Sequence, residues 1–320
     1  MKTSSARDQV AAAATPVIYG EASITPRGDY AQAHADYTCD QHWERYTPAE
    51  HALFARLYAR QMALVPGRAC EEFLHALGHL AAADGIPRFA DITLRLRAAT
   101  GWEIVAVPGL IPEHAFFRLL SSRRFPVTVW LRKPEEFDYI VEPDLFHDLF
   151  GHVPLLFEPA FADYMQAFGA GGLKAEGLHA LQYLARLYWY TVEFGLMRSA
   201  QGLRIYGAGI LSSGGEVEYS LHSPKPRRLP FDVPRLLRSR YRIDDYQATY
   251  FVIDSFAQLF DATAPDFTPL YLRAASQPDI APGTVLPGEH DIAPDAGASQ
   301  GSEGPLPSFL DPLGGSPLAD

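Results

Sequence analysis

Apolar positions recur at helical spacing from the middle of the chain's first third onward. Leu53, Phe54, Leu57, Tyr58 and Met62 fall three or four residues apart, up to a Pro66-Gly67 stop. In front of that stripe, Thr47-Pro48-Ala49-Glu50 has the form of a capping box, with proline at the first helical position, where its missing N–H is not needed. The same spacing predicts helices over 70–83 and 178–199, and further helical segments over 254–261 and 270–275. Ile104-Val-Ala-Val107 and Pro126-Val-Thr-Val-Trp-Leu131 are different. They are short and rich in β-branched residues, and they read as strands. The pattern predicts a mainly α fold with small β elements.

Residues 1–44 are polar and irregular, and residues 276–320 are rich in Pro, Gly, Ser and Asp. Both lack the large apolar groups of a core and are expected to be disordered, which leaves one compact domain over 45–275. No internal repeat or leucine heptad suggests a coiled-coil oligomer. At 48% hydrophobic and 20% charged, the composition is that of an ordinary globular protein, large enough to bury a core without disulfides. Cys39 and Cys70 make no disulfide framework, so a reducing cytoplasm is the expectation. A net charge of −11 argues against nucleic acid as a partner. The short basic clusters Arg123-Arg124 and Lys225–Arg228 read as solvated surface. No run approaches the ~20 apolar residues of a membrane span. The block Val10–Ala14 is too short for a signal core.

Candidate chemistry concentrates in Glu142-Pro-Asp-Leu-Phe-His-Asp-Leu-Phe-Gly-His-Val-Pro154, together with Glu193. Pro143 suits a first helical turn, and Glu142 and Asp144 suit the positive end of its dipole. On an ideal helix, about 100° per residue would leave His147 and His152 roughly 140° apart. A helix that ends near Gly151, before Pro154, lets His152 turn back toward His147. Glu193 sits in Leu187-Tyr-Trp-Tyr-Thr-Val-Glu-Phe-Gly-Leu-Met197, which is apolar around nearly its whole circumference and therefore buried. A carboxylate there needs a partner. Arg186 is one choice, and a metal shared with the histidines is the other. Two imidazoles and a carboxylate suit non-haem Fe(II) with open positions, and also catalytic zinc. A zinc hydrolase would further need a placed general base; Asp148 follows His147 as that base would, but its helix stops too soon for the usual geometry.

At this point the residues resemble the pterin-dependent aromatic amino acid hydroxylases, most closely the short prokaryotic members that act on phenylalanine. The resemblance runs over about residues 40–275, through the two blocks quoted above and Tyr206-Gly-Ala-Gly-Ile-Leu-Ser-Ser213. It implies a single aromatic amino acid hydroxylase catalytic domain, with Fe(II) on His147, His152 and Glu193. It implies that L-phenylalanine binds with its carboxylate on Arg132, is oriented by Ser212, and has its ring among Trp189, Phe194 and Pro143. It implies a tetrahydropterin (tetrahydrobiopterin or a relative) stacked on Phe116 and bordered by Leu110, Ile111, Tyr188 and Asp148. The implied reaction uses O2 as cosubstrate and the pterin as two-electron donor to form L-tyrosine. Mammalian-type members carry glutamate at the Asp148 position, and serines where this chain has Pro112 and Glu113. The long members' regulatory domain and tetramerising tail have no counterpart here, so the resemblance implies a monomer. Pterin-recycling enzymes would be functional partners, without direct contact being required. Tryptophan hydroxylation by the same family and a zinc hydrolase are the alternatives. Val252, near Tyr250, matches a position that is apolar in the phenylalanine enzymes and supports phenylalanine.

Overall fold

The computed structural model describes residues 17–19, 22–24, 26–243 and 245–294. Strands β1 (Val17–Tyr19) and β2 (Ala22–Ile24) form an antiparallel pair. Helix α1 (Pro48–Leu64) starts in the expected capping box: Glu50 N donates to Thr47 Oγ1 at 3.2 Å, and Thr47 N donates to Glu50 Oε2 at 2.8 Å. Its buried Gln61 donates through Nε2 to the carbonyls of Leu211 (2.5 Å) and Ser213 (3.1 Å), which ties α1 to the segment carrying Ser212. The next helix is shorter than expected. Helix α2 (Glu71–Leu77) tightens into a 3-10 turn at Gly78–Leu80. Helix α3 (Phe89–Ala99) then leads to β3 (Glu103–Val107), α4 (Glu113–Ser121) and β4 (Arg124–Thr128), with β3 and β4 parallel across the α4 crossover. Trp130 and Leu131 lie past the end of β4, in the loop that delivers Arg132.

Helix α5 (Pro159–Gly177) is followed by α6 (Leu181–Tyr188), where the predicted 178–199 helix departs from the structure. The chain enters a π-helical turn over Trp189–Glu193, and Leu196–Ser199 is strand β5. After β6 (Gly202–Ile205) come α7 (Ala208–Ser212), α8 (Glu216–His222), β7 (Arg227–Pro230), α9 (Val233–Leu237), β8 (Thr249–Ile253), α10 (Phe256–Thr263) and α11 (Thr268–Ala275). The strands form a sheet of order β6-β5-β8-β7, antiparallel between β5 and β6 and parallel elsewhere. Leu196-Met-Arg-Ser199 extends the apolar helical pattern before it, so nothing in its spacing announces a strand. The mainly α architecture with small sheets stands as expected.

Two segments expected to be disordered are packed where the structure describes them. Tyr30 and Tyr37 are buried, Tyr30 Oη donates to Leu110 O at 2.8 Å, and Cys39 N donates to Ala106 O at 2.8 Å. Beyond 276, charge does what apolar area does elsewhere. Asp279 accepts two bonds from Arg186 at 2.7 Å, Asp291 accepts from Arg227 Nε at 2.9 Å, and Ile292 N donates to Arg228 O at 2.7 Å. Arg227 and Arg228, read as solvated surface, are 7% and 2% exposed. Counting apolar residues overlooked them because strap carboxylates hold Arg227 and the backbone carbonyls of Ser220 and Ser223 hold Arg228. The expectations for 1–16 and 295–320 lie outside the described residues. No described helix is long and apolar enough to cross a membrane.

Candidate active site

The helical segment carrying the histidines is fastened to the core by phenylalanines. Phe146 packs on Phe54 at 5.4 Å and on Phe150 at 5.2 Å, and Phe150 packs on Phe73 at 5.7 Å between ring centroids. The expected break at Gly151 does not occur. His147–His152 is instead a π-helical turn, whose i→i+5 register puts residues five apart on one face. His147 Nε2 and His152 Nε2 lie 3.1 Å apart, and Glu193, at the end of the other π turn, is 3.5 Å from the first and 3.1 Å from the second. Both π turns meet α7. A Cβ on Gly151 would fall 2.8 Å from Ala208 O, and one on Gly207 would fall 2.5 Å from Glu193 O. Only glycine allows these backbones to approach so closely.

Outer hydrogen bonds fix which ring nitrogen of His147 faces inward. Ser212 Oγ donates to Ala208 O at 2.9 Å, so across its 2.9 Å contact with His147 Nδ1 it accepts a proton. The neutral ring therefore aims the Nε2 lone pair at His152 and Glu193. Burial raises the Glu193 carboxyl, but His152 and His147 outweigh burial and hold it far below the usual carboxylate range. Burial lowers His147, and the Glu193 carboxylate more than reverses that. Two nitrogen lone pairs and a carboxylate around one buried point favour a cation there, and this donor set fits a divalent metal with open positions. Arg186 is not the partner of Glu193, since it pairs with Asp279.

Arg132 lines the same cavity and has a protein partner that the sequence reading did not assign to it. Its Nε and Nη2 donate to the two oxygens of buried Asp144 at 2.9 Å each, and its backbone N donates to Oδ2 at 2.9 Å. Asp144 Oδ1 also caps the histidine turn by accepting from His147 N at 3.0 Å. The Nε/Nη2 edge is thus taken by the protein, and both Nη1 hydrogens with the second Nη2 hydrogen remain for a ligand. Burial raises Asp144, but Arg132 holds it below its ordinary value. Arg132, Pro143, Trp189, Phe194 and Ser212 line one cavity with His147 and Glu193. All five substrate residues expected from the sequence are brought together there. Val252 does not line the cavity; it is buried in β8.

The expected pterin residues lie on another side of the histidines. Tyr188 is 6.2 Å from His152 and 5.8 Å from Phe116 between ring centroids. Leu110 is held by Tyr30, and Ile111 packs on the Tyr30–Tyr37–Ala115 cluster. Asp148 offers a ligand atom within 4.8 Å of one on each histidine, but its Oδ2 accepts from Thr128 N at 2.7 Å. Burial raises Asp148 from its ordinary value. Glu193 approaches both Nε2 atoms more closely and is the better ligand by geometry.

The sequence reading missed a second wall of the cavity. Glu216, Gln247, Tyr139 and Ile243 line it. Glu216 accepts from Tyr250 Oη at 2.6 Å and from Gln247 N at 3.1 Å, and burial pushes its carboxyl up to about 7. No local pattern marks Gln247. Asp144 could have been found, because it shares the histidine block and the chain has a buried arginine to neutralise.

Residues 16–265 match the model of the biopterin-dependent aromatic amino acid hydroxylase family. The phenylalanine-4-hydroxylase of Chromobacterium violaceum is 56% identical over 281 residues, 87% of this chain and 94% of that protein. The phenylalanine-4-hydroxylase of Ralstonia nicotianae is 58% identical over 267 residues, 83% of this chain and 85% of that protein. The crystal structure of the Chromobacterium violaceum phenylalanine hydroxylase with iron and phenylalanine bound superposes with a TM-score of 0.77 at 57% identity, covering 80% of this chain and 94% of that one. Its cobalt-bound form gives 0.79 at 58% identity, covering 80% and 93%.

Proposed function

Because the chain belongs to the biopterin-dependent aromatic amino acid hydroxylase family, we propose a division of labour for its reaction, the tetrahydropterin- and O2-dependent hydroxylation of L-phenylalanine to L-tyrosine at non-haem Fe(II). His147, His152 and Glu193 hold the iron. Fe(II) with the tetrahydropterin supplies the oxygen and electron chemistry that side chains lack. The observation that carries this reading is the convergence of these three ligand atoms, 3.1–3.5 Å apart, on a cavity that also holds Arg132 and two aromatic walls.

Each remaining residue has a physical task. Arg132, immobilised by Asp144, presents Nη1 to the substrate carboxylate, so the amino acid enters with one orientation. Ser212 keeps His147 in the tautomer that binds metal and lies beside the bound amino acid. Trp189, Phe194 and Pro143 exclude water from the ring and fit its shape. Phe116, Tyr188, Leu110, Ile111 and Asp148 hold the pterin on the other side of the histidines. We place the protein in the cytoplasm as a monomer. The unpaired Cys39 and Cys70 and the absence of a membrane-crossing helix among the described residues support the compartment. Separate enzymes recycle the pterin.

The test is product analysis of the Fe(II)-loaded protein with L-phenylalanine, a tetrahydropterin and O2, omitting each in turn. Tyrosine that requires all of them is the expected result. No turnover at full iron occupancy overturns the reading. Faster hydroxylation of L-tryptophan than of L-phenylalanine would move the substrate to indole.

A further inference from the structure

We propose that Gln247, anchored by Glu216, is a positioning residue that fixes the Trp189 ring against sliding and in-plane rotation and so sets the ring-size selectivity of the hydroxylation. This rests on the reading of Trp189 as a wall of the substrate cavity. Trp189 stacks on Tyr241 (4.2 Å, 14°) and meets Phe194 at a tilt (4.7 Å, 37°). Stacking restrains a ring against tipping but resists sliding and in-plane rotation poorly. A directional bond is needed for that, and Trp189 Nε1 donates to Gln247 Oε1 at 2.9 Å.

The amide of Gln247 can face only one way. Its Nε2 donates to Arg242 O at 2.9 Å and to Asp245 O at 3.3 Å. Flipping it would set a carbonyl against two carbonyls and an NH2 against the indole N–H. Its backbone N donates to Glu216 Oε1, which also receives the Tyr250 hydroxyl. The loop around it is fastened at two further points: Tyr190 Oη donates to Arg240 O at 2.6 Å, and Tyr139 Oη donates to Ile243 O at 2.8 Å. Gln247 is 3% exposed, so water cannot replace a lost partner. A chain of hydrogen bonds thus runs from α8 through Gln247 to an aromatic wall of the cavity.

The experiment is steady-state kinetics on iron-loaded Gln247→Leu, Trp189→Phe and the double variant, with L-phenylalanine and L-tryptophan. Gln247→Leu should raise KM for L-phenylalanine roughly tenfold, the equivalent of one buried hydrogen bond, with kcat changed much less. The preference for phenylalanine over tryptophan should fall with it. In the Trp189→Phe background, which lacks the indole N–H, Gln247→Leu should add less than about twofold. An equal effect in both backgrounds, or parental KM and selectivity in Gln247→Leu, overturns the proposal. Parental KM and selectivity in Trp189→Phe alone would instead remove Trp189 from the cavity wall. Should Gln247→Leu fail to fold, Glu216→Leu carries the same test, because it removes the acceptor of Gln247 N and leaves the glutamine side chain intact. Glu216→Gln, which keeps an acceptor oxygen, should have the smaller effect of the two Glu216 variants. An equal rise in KM for both would mean that Glu216 acts by its charge on the substrate, and its role as an anchor would fall.

Discussion

The two walls of the cavity bury a carboxyl group each and treat it oppositely. Asp144, behind Arg132, faces a full cation and is held ionised. Glu216, in the second wall, faces only a hydroxyl and a backbone N–H, and burial pushes it up to about 7. Asp144 is 0% exposed and Glu216 5%, so depth does not separate them. The charge of the partner does. One wall is built to hold charge, and it carries the residues we propose as metal ligands and as the anchor of the substrate carboxylate. The other is built from neutral donors and holds shape.

The sharpest break of this contrast is to remove a ligand. His152→Ala should abolish both iron retention and tyrosine formation; a full iron complement in that variant would take it off the ligand set. Next is Asp144→Ala, which strands the buried Arg132 guanidinium and uncaps the His147 turn. A loss of about 3–5 kcal/mol in urea unfolding is expected, and a loss below about 1 kcal/mol would mean that the charge of this wall is not what holds it. Arg132→Lys leaves a point charge that cannot keep both Asp144 bonds and also serve a ligand. KM for L-phenylalanine should rise about tenfold or more, and an unchanged KM would end that assignment. The smallest effect belongs to the neutral wall. The folded pKa of Glu216 lies above its ordinary 4.5, so the stability it contributes is full below about 4.5 and is lost as pH rises toward about 7. Its slope is at most about 1.4 kcal/mol per pH unit. Glu216→Gln should flatten that part of the stability curve relative to the parent, as measured by chemical denaturation across the window; an unaltered slope would show that Glu216 is ionised when folded.

How much of this was legible depends on how far the cause lies from the residue. The capping box at Thr47 and Glu50 is local, and it was read correctly. The histidine block and the resemblance pointed to the cavity residues. The helix geometry between them did not follow, because a π turn is imposed by contacts such as Gly151 against Ala208, fifty-seven residues apart in the chain. Spacing alone called for a break. The sheet strand at Leu196 was hidden because its neighbours, Gly202–Ile205 and Thr249–Ile253, confer its identity. The 276–294 strap was invisible to a count of apolar groups, since Arg186 and Arg227 dock it. Gln247 carries no signal at all until Trp189 is placed beside it.

The glycine contacts at 151 and 207 have a consequence for metal exchange. They wedge both ligand-bearing turns against α7 through backbone contacts that do not involve the ion. Folding has already covered the entropy of gathering the ligands, so loading should not be coupled to refolding, unlike in a zinc finger. The metal should then raise the melting temperature only by mass action, logarithmically in its free concentration. Stripping the ion with a chelator and supplying another divalent metal should return the same folded species.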